Sequence, residues 1–276
     1  MNNRLIPLED TWLDVVRKAV RGLHFPEGEL EKKSGLSAGS LGEILSGHLR
    51  EEDLRKLAPT LGLNPTRLID LAEGRYHPGG IPLPEGIAMF TTPWHDFEVH
   101  SYLAWDPNQS SGVRTAAAFD TGSDASEMLS FVESHHLDLV QVFLTHGHGD
   151  HVFDLDRILE KTMASALQGD REETPGVQSF SPGRTFRIGS LEIETRSTWG
   201  HAKGGVTYVI KGLEKPVAVV GDAIFAGSMG GPIVSYAACL ETNRKEIFSL
   251  PPETLICPGH GPLTTVALEM QHNPFF

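Results

Sequence analysis

One short run of histidines and acids constrains this chain more than any other feature. The apolar residues 139–144 predict a buried strand, and directly after it follow His146, His148, Asp150 and His151, separated by glycines that allow tight turns. Because alternate side chains of an extended segment share a side, we expect His146, His148 and Asp150 to point together and His151 to point elsewhere. Imidazoles with carboxylates are ligands for zinc and other borderline metals, so the run predicts a metal site.

Three later residues are candidates for the same site. His201 lies in a glycine-flanked turn before an apolar run, Asp222 directly follows a run in "AVVGDAIF", and His260 follows one in "LICPGHG". Turns of this kind are common, so each residue is a weak signal alone. Their order and their repeated position at the end of a predicted strand make them candidates for joining the first group.

The pattern after residue 84 predicts a layered α/β domain. Short β-like runs occupy residues 99–105, 115–119, 139–144, 186–195, 207–210 and 217–220. Helix-like stretches stand at residues 126–135, 153–167 and 266–271. Strands that alternate with helices favour sheets covered by helices rather than a helical bundle or an all-β sandwich.

The first 75 residues have a different character. Apolar residues recur at helical spacing, Ser37 is a predicted helix N-cap, and Asn64-Pro65 starts a further helix. The segment "LEKKSGLSAGSLGEILSGHLREEDLRKLAPTLGLNPTRLIDLAEG" resembles the helix-turn-helix domains of the Cro/C1 repressor class. The helix that would read DNA begins near Ser37 and offers Ser, Ala, Gly and Glu instead of the usual Arg, Lys, Gln or Asn. We therefore expect a docking or homo-oligomerisation module, and not a nucleic-acid partner.

A dense Pro and Gly stretch separates the two parts of the chain. The residues "RYHPGGIPLP" at 75–84 are typical of a linker. We therefore predict a helical domain at residues 1–75, a linker at 76–84 and a catalytic domain at 85–276. Deletion of residues 1–75 is expected to leave a folded, metal-loaded domain.

Charge and composition narrow the class of protein. The formal net charge of -13 divides into -1 for residues 1–75 and -12 for residues 76–276. An acidic body repels nucleic acids and is compatible with divalent cations. Neither an export signal nor a membrane span is recognisable, so we expect a cytoplasmic protein. Cys239 and Cys257 are too few for a disulfide framework and are expected to be reduced and buried.

The candidate ligands resemble those of the metallo-β-lactamase superfamily. The H-x-H-x-D-H signature at residues 146–151 and the later His, Asp and His match it within residues 85–276. The resemblance implies an αββα sandwich, preceded here by the small all-α helical segment. It implies two metal ions, one held by His146, His148 and His201, the other by Asp150, His151 and His260, with Asp222 as the bridge.

The same resemblance implies a reaction. Two ions, Zn²⁺ in the first place with Fe or Mn as alternatives, would share a water and lower its pKa to about 7. The resulting hydroxide would attack the substrate, and Asp150 would be the catalytic residue that orients it.

The nearest likeness is to hydrolases of the glyoxalase II type. The segment "GDAIFAGSMGG" resembles their Gly-Asp-x-x-Phe-x-Gly-x-x-Gly pattern, and this implies hydrolysis of a small acyl thioester. The basic residue usual in that pattern, which helps to hold glutathione, falls at Gly231, and the C-terminal domain that completes the glutathione site has no counterpart after His260. The thiol carrier of the substrate therefore stays open.

Several alternatives share these ligands. A persulfide dioxygenase uses one iron with two His and one Asp, and a lactonase uses the same hydroxide on a cyclic ester. A β-lactamase would normally be exported, and a nuclease of this superfamily would carry an inserted domain and a basic surface. A non-enzymatic alternative is a DNA-binding regulator with a metal-binding sensor domain. The second ligand set, Asp150, His151 and His260, favours the two-metal hydrolase.

Overall fold

A computed structural model describes residues 5–109 and 112–276 as two six-stranded sheets with helices on their outer faces. The first sheet consists, in spatial order, of β1 (Ile87–Trp94), β2 (Phe97–Trp105), β3 (Arg114–Phe119), β4 (Leu137–Phe143), β5 (Ser165–Gly169) and β6 (Gln178–Phe180). The second consists of β12 (Thr264–Thr265), β11 (Leu255–Pro258), β10 (Val217–Gly221), β9 (Val206–Lys211), β8 (Leu191–Ser197) and β7 (Thr185–Ile188).

The described helices fall into two groups along the chain. The helices before the sheets are α1 (Trp12–Leu23), α2 (Glu29–Ser34), α3 (Ala38–Leu45), α4 (Glu51–Thr60) and α5 (Pro65–Ala72). The later ones are α6 (Ser126–Ser134), α7 (Gly149–Val152), α8 (Leu155–Thr162), α9 (Tyr236–Thr242), which continues into a π-helical turn at Asn243–Ile247, and α10 (Val266–His272). Within the described residues, none of these helices is long and apolar enough to cross a membrane.

Three apolar cores define the layers. The central core lies between the sheets and combines, for example, Phe119 and Phe143 of the first sheet with Tyr208 and Val219 of the second. A second core lies outside the first sheet, where Met128 of α6 and Ile158 of α8 pack. Central strands that are buried on both faces read as continuous apolar runs, as β10 does. The αββα arrangement expected from the sequence is therefore confirmed.

The third core explains the position of the first 75 residues. It lies outside the second sheet, where Val220 and Ile256 meet apolar residues of α1, α3, α4 and α5 together with α9 and the last residues of the chain. Gly22 of α1 faces Tyr236 of α9 so closely that an added Cβ would lie 2.4 Å from the tyrosine Cγ. The N-terminal helices thus form part of the outer helical layer of the second sheet.

The residues between the helices and the sheets are more strongly anchored than a linker requires. Residues 75–84 hold no helix or strand, but Tyr76 is buried and its hydroxyl donates a hydrogen bond to Glu269, itself fully buried in α10. Asn64 and Pro274 are joined by a backbone hydrogen bond of 2.8 Å. The boundaries at residues 75 and 85 remain a prediction, and so does the helix-turn-helix resemblance of residues 30–74.

Some of the local structure predicted from the sequence is confirmed, and some of the predicted element bounds are wrong. Ser37 and Asn64 cap α3 and α5 with their side chains, and both cysteines are buried, as expected. The strand predicted at residues 186–195 is instead the hairpin of β7 and β8, because Gly189 adopts a positive φ of 57° between them. The helix predicted to reach residue 167 ends at Thr162, because Met163 takes a left-handed conformation and β5 begins two residues later.

Candidate metal centre

The site lies where two pairs of parallel strands end at the same rim of the sandwich. In the first sheet β3 is parallel to β4, and their ends are followed by Asp120 and by the run that begins at His146. In the second sheet β10 is parallel to β11, and their ends are followed by Asp222 and His260. Because the carboxyl ends of parallel neighbours share an edge, residues far apart in the chain meet here. His201 enters from the loop between β8 and β9.

The structure brings all seven predicted side chains together, in two groups. The first group contains His146, His148, His201 and Asp222, and the second contains Asp150, His151 and His260. In the first group the Nδ1 of His148 lies 2.9 Å from the Nε2 of His146 and 3.0 Å from the Nε2 of His201. In the second group the Oδ2 of Asp150 lies 3.2 Å from the Nε2 of His260 and 3.5 Å from the Nε2 of His151.

Asp222 connects the two groups with different oxygens. Its Oδ2 lies 3.3 Å from the Nε2 of His201, whereas its Oδ1 lies 3.3 Å from the Nε2 of His151 and 3.5 Å from the Nε2 of His260. A carboxylate in this position can offer one oxygen to a cation in each group.

The extended conformation assumed for the signature run is wrong. Gly149–Val152 is a short helix whose N-cap is His148, and the change from extended to helical backbone turns Asp150 away from His146 and His148. Asp150 and His151 consequently face His260 together. Gly149 lies against the indole of Trp94, because a Cβ added to Gly149 would lie 3.3 Å from Cζ2 of the indole.

Outer partners fix the protonation pattern of the imidazoles. The Nδ1 atoms of His151, His201 and His260 lie 2.8 Å from the Asp120 carboxylate, 2.8 Å from the Gly231 carbonyl and 2.7 Å from the Glu98 carbonyl, respectively. Carboxylates and carbonyls only accept hydrogen bonds, so each Nδ1 must donate. The Nε2 lone pairs of these rings are thereby directed into the site, which is the usual support for metal-ligating histidines.

Asp120 is the functional residue that sequence reasoning missed. It is buried, adopts a positive φ of 58°, and accepts hydrogen bonds from the backbone and hydroxyl of Thr145 as well as from His151. The signal was present, because Asp120 follows the predicted strand at residues 115–119 just as Asp222 follows its own strand. No histidine stands beside Asp120, so the pattern that marks the other candidates does not single it out.

The two groups differ in charge. Burial lowers the pKa of His146 well below its ordinary value and also lowers the pKa of His201, so these two imidazoles are neutral. Burial also lowers the pKa of His151, but the carboxylates of Asp120 and Asp222 outweigh it and raise the pKa to about 10. For His260 burial is likewise outweighed, by Asp222 and Asp150, and its pKa rises to about 11. The second group therefore favours positive charge, which protons or a metal ion can supply.

A divalent metal fits this donor set. His151 Nε2 and Asp222 Oδ1 are buried and have no hydrogen-bond partner within the described residues, a costly state for polar atoms that a cation would relieve. Both groups present one ligand atom per residue, with these atoms within 4.8 Å of one another. Gly259 leaves room for the arrangement, because a Cβ there would lie 2.4 Å from Asp222 Oδ1.

Comparison with known proteins decides the family. The family model described as the metallo-beta-lactamase superfamily matches residues 112–260, which is more than half of the chain. The chain belongs to the metallo-β-lactamase superfamily. A probable metallo-hydrolase from Streptococcus pyogenes is 29% identical over 185 residues, covering 57% of this chain and 79% of that protein.

Two further likenesses agree with this assignment. The hydroxyacylglutathione hydrolase GloC from Haemophilus influenzae is 27% identical over 206 residues, covering 65% of this chain and 93% of that protein. The crystal structure of the B3 metallo-β-lactamase BLEG-1 superposes with a TM-score of 0.59 at 24% identity, covering 68% of this chain and 99% of the other, which shows the fold alone. Metallo-β-lactamase membership and the named hydrolases among the relatives make this chain a metallohydrolase of the superfamily.

Aromatic side chains surround the mouth of the centre. The ring of Phe97 meets the ring of His260 edge-on at 5.1 Å, and Trp94 packs against Phe153 at 5.3 Å. Phe153 is 66% exposed, although it follows directly after α7. Exposed aromatic surface beside buried polar ligands is typical of a site that binds an organic substrate.

Proposed function

We propose that this chain is a two-metal hydrolase that cleaves thioesters of small acyl groups. The ions would be held by His146, His148 and His201 on one side and by Asp150, His151 and His260 on the other, with Asp222 between them. The observation that carries the proposal is the division of Asp222, whose Oδ2 faces His201 while its Oδ1 faces His151 and His260. Each group presents at least three side chains that could hold an ion, so the arrangement supports two ions.

The bound cations would activate water as a nucleophile and stabilise the negative charge that develops on the substrate. The chain's own residues supply the remaining functions. Asp150 would hold and orient the attacking water, since its carboxylate lies beside the Nε2 atoms of His260 and His151 and is 8% exposed. His148 is the least buried of the seven residues. Phe97 and Phe153 offer apolar surface to the acyl or thiol portion.

A thioester is favoured over other acyl compounds by the relatives. The glyoxalase II-like segment that begins at Gly221 and the likeness to a hydroxyacylglutathione hydrolase support it. The carrier thiol is a separate question, because Gly231 stands where a glutathione-binding basic residue is usual. We expect Zn²⁺ as the metal, in keeping with the neutral imidazoles of the first group.

Metal analysis and turnover test the proposal together. Protein purified without added metal should contain two divalent ions per chain and should release thiol from acyl thioesters, followed with a thiol-reactive dye. Asp150→Asn should abolish most of this activity, whereas the matched variant Asp156→Asn, on the exposed start of α8, should retain it. One iron per chain together with oxygen consumption on a persulfide would instead establish a dioxygenase, and turnover confined to lactones would refute the thioester assignment.

A further inference from the structure

The residues before α1 reach the metal centre from the other end of the chain. Gly261 follows the candidate ligand His260, and a Cβ on Gly261 would lie 3.1 Å from the backbone nitrogen of Glu9 and 3.3 Å from its Cβ. The segment at residues 5–10 therefore runs directly over the turn that carries His260.

Contacts at both ends hold this segment in place. The ring Nε2 of His77 lies 2.9 Å from the carbonyl oxygen of Ile6. Lys18 of α1 forms an ion pair with Asp10 and also donates a 2.7 Å hydrogen bond to the carbonyl of Met229, which belongs to the loop that starts at Asp222. The segment is thus joined to the metal-site loop through ordered partners.

A cavity separates this segment from the strand turn on the opposite side. Its volume is about 580 Å³, and it is bounded by Glu9 and its neighbours on one side, by Asp96, Phe97 and Glu98 on the other, and by Gly261 at its inner end. Because the Phe97 ring also touches His260, the cavity adjoins the second ligand group. No lysine or arginine stands among the described residues that line it. The cavity offers space for a substrate that would extend past His260.

The Glu9 carboxylate is free to act on such a substrate. Within residues 5–109 and 112–276, no hydrogen bond or ion pair engages it, although the side chain is half-buried. The pKa of Glu9 is raised overall: burial, Asp10 and Asp222 raise it, and His260 lowers it. The Glu9 carboxylate therefore interacts electrostatically with residues of the metal centre. A half-buried carboxylate without a partner stabilises a cationic or hydrogen-bond-donating group and disfavours an anion.

From these contacts we infer that the segment at residues 5–10 forms a wall of the substrate cleft, and that Glu9 is a specificity-determining residue that selects a cationic thiol portion. The inference rests on the proposed function for its substrate class. It gives a role to the N-terminal residues that is independent of DNA binding, and it accounts for a cleft that suits neither glutathione nor a phosphorylated carrier.

Binding of free thiols tests the inference without requiring turnover. The full-length protein loaded with two equivalents of Zn²⁺ is titrated by calorimetry with thiocholine, with its neutral isostere 3,3-dimethylbutanethiol, and with 3-mercaptopropionate. We expect thiocholine to bind at least about fivefold more tightly than the neutral thiol, the size of a partly exposed ion pair, and 3-mercaptopropionate to bind most weakly. Glu9→Gln should reduce the ratio to near one, and Glu27→Gln, a matched exposed change in the same helical region, should leave it unchanged.

Each other outcome is decisive. Equal binding of the cationic and neutral thiols, or a preference that survives Glu9→Gln, overturns the inference. Loss of bound zinc in Glu9→Gln also overturns it, because Glu9 would then be a metal ligand. Hydrolysis of the corresponding acetyl thioesters is measured in parallel. If the enzyme hydrolyses the cationic, neutral and anionic thioesters equally, the proposed function stands and the inference is refuted. If it hydrolyses none of them but still prefers the cationic thiol, only the proposed function is refuted.

Discussion

The contact between Gly22 and Tyr236 gives the sharpest test of how the N-terminal helices pack. A Cβ at position 22 would lie 2.4, 2.5 and 2.7 Å from Cγ, Cδ2 and Cβ of Tyr236. The tyrosine Cβ is fixed to the backbone of α9 and no side-chain rotation moves it, so Gly22→Ala must shift α1 or α9. Overpacking of this kind costs about 1–3 kcal/mol, and the helix propensity gained by replacing Gly with Ala offsets up to about 1 kcal/mol. We expect a net loss of about 1–2 kcal/mol.

The chain offers a matched control for this substitution. Gly42 lies in α3 and has no heavy atom within 4 Å of its added Cβ, so Gly42→Ala should be neutral or slightly stabilising. In thermal unfolding of the metal-loaded protein, Gly22→Ala should lower Tm by roughly 2–8 °C, at about 2–4 °C per kcal/mol for a chain of this size. In a Tyr236→Ala background the same change should lose its penalty. Equal Tm values for Gly22→Ala and Gly42→Ala would refute the packing of α1 against α9.

Four further variants address the metal centre and the domain boundary. Asp120→Asn weakens the acceptor of the His151 Nδ1–H, so it should lower metal affinity about 10–100-fold. Competition with a chromophoric chelator measures this affinity. An unchanged affinity would show that Asp120 does not support the site. Asp150→Asn and His148→Ala should each lower kcat at least about a hundredfold while the circular dichroism spectrum is unchanged, and near-normal turnover with metal content verified would contradict their roles. Deletion of residues 1–75 exposes the outer face of the second sheet, so we now expect aggregation; recovery of a soluble, metal-loaded fragment would support the independent domain predicted from the sequence.

Most of the candidate site could be predicted from the sequence, but less of the packing around it could. All seven candidate ligands were recognisable, because they follow apolar runs or glycine turns and because strand ends meet at sheet edges: His146, His148, Asp150, His151, His201, Asp222 and His260. The helical turn at Gly149–Val152 was not recognisable, because four residues are too few to show a helical period. The side toward which each ligand points therefore came only from the structure.

The long-range packing contacts could not be predicted from the sequence, for a different reason. Tyr76 sits in a Pro and Gly stretch that is typical of a linker, and nothing local indicates that its hydroxyl meets Glu269 inside α10. Glu9 has the same character, because its importance depends on a contact with Gly261 at the far end of the chain. Local patterns predict which residues form an element, but they do not predict which distant element covers it.

The core outside the second sheet combines the first helices of the chain with its last strands, so it can form only late in synthesis. The apolar faces of α1, α3, α4 and α5 are made early, yet their partners in β10, β11 and the residues around Phe275 are made last. Contacts of such sequence separation form slowly, and the unpaired faces stay exposed to other chains in the meantime. Chaperone dependence should therefore be concentrated in this outer helical layer, and the second ligand group, which includes His260, can close only after β11 has joined the sheet.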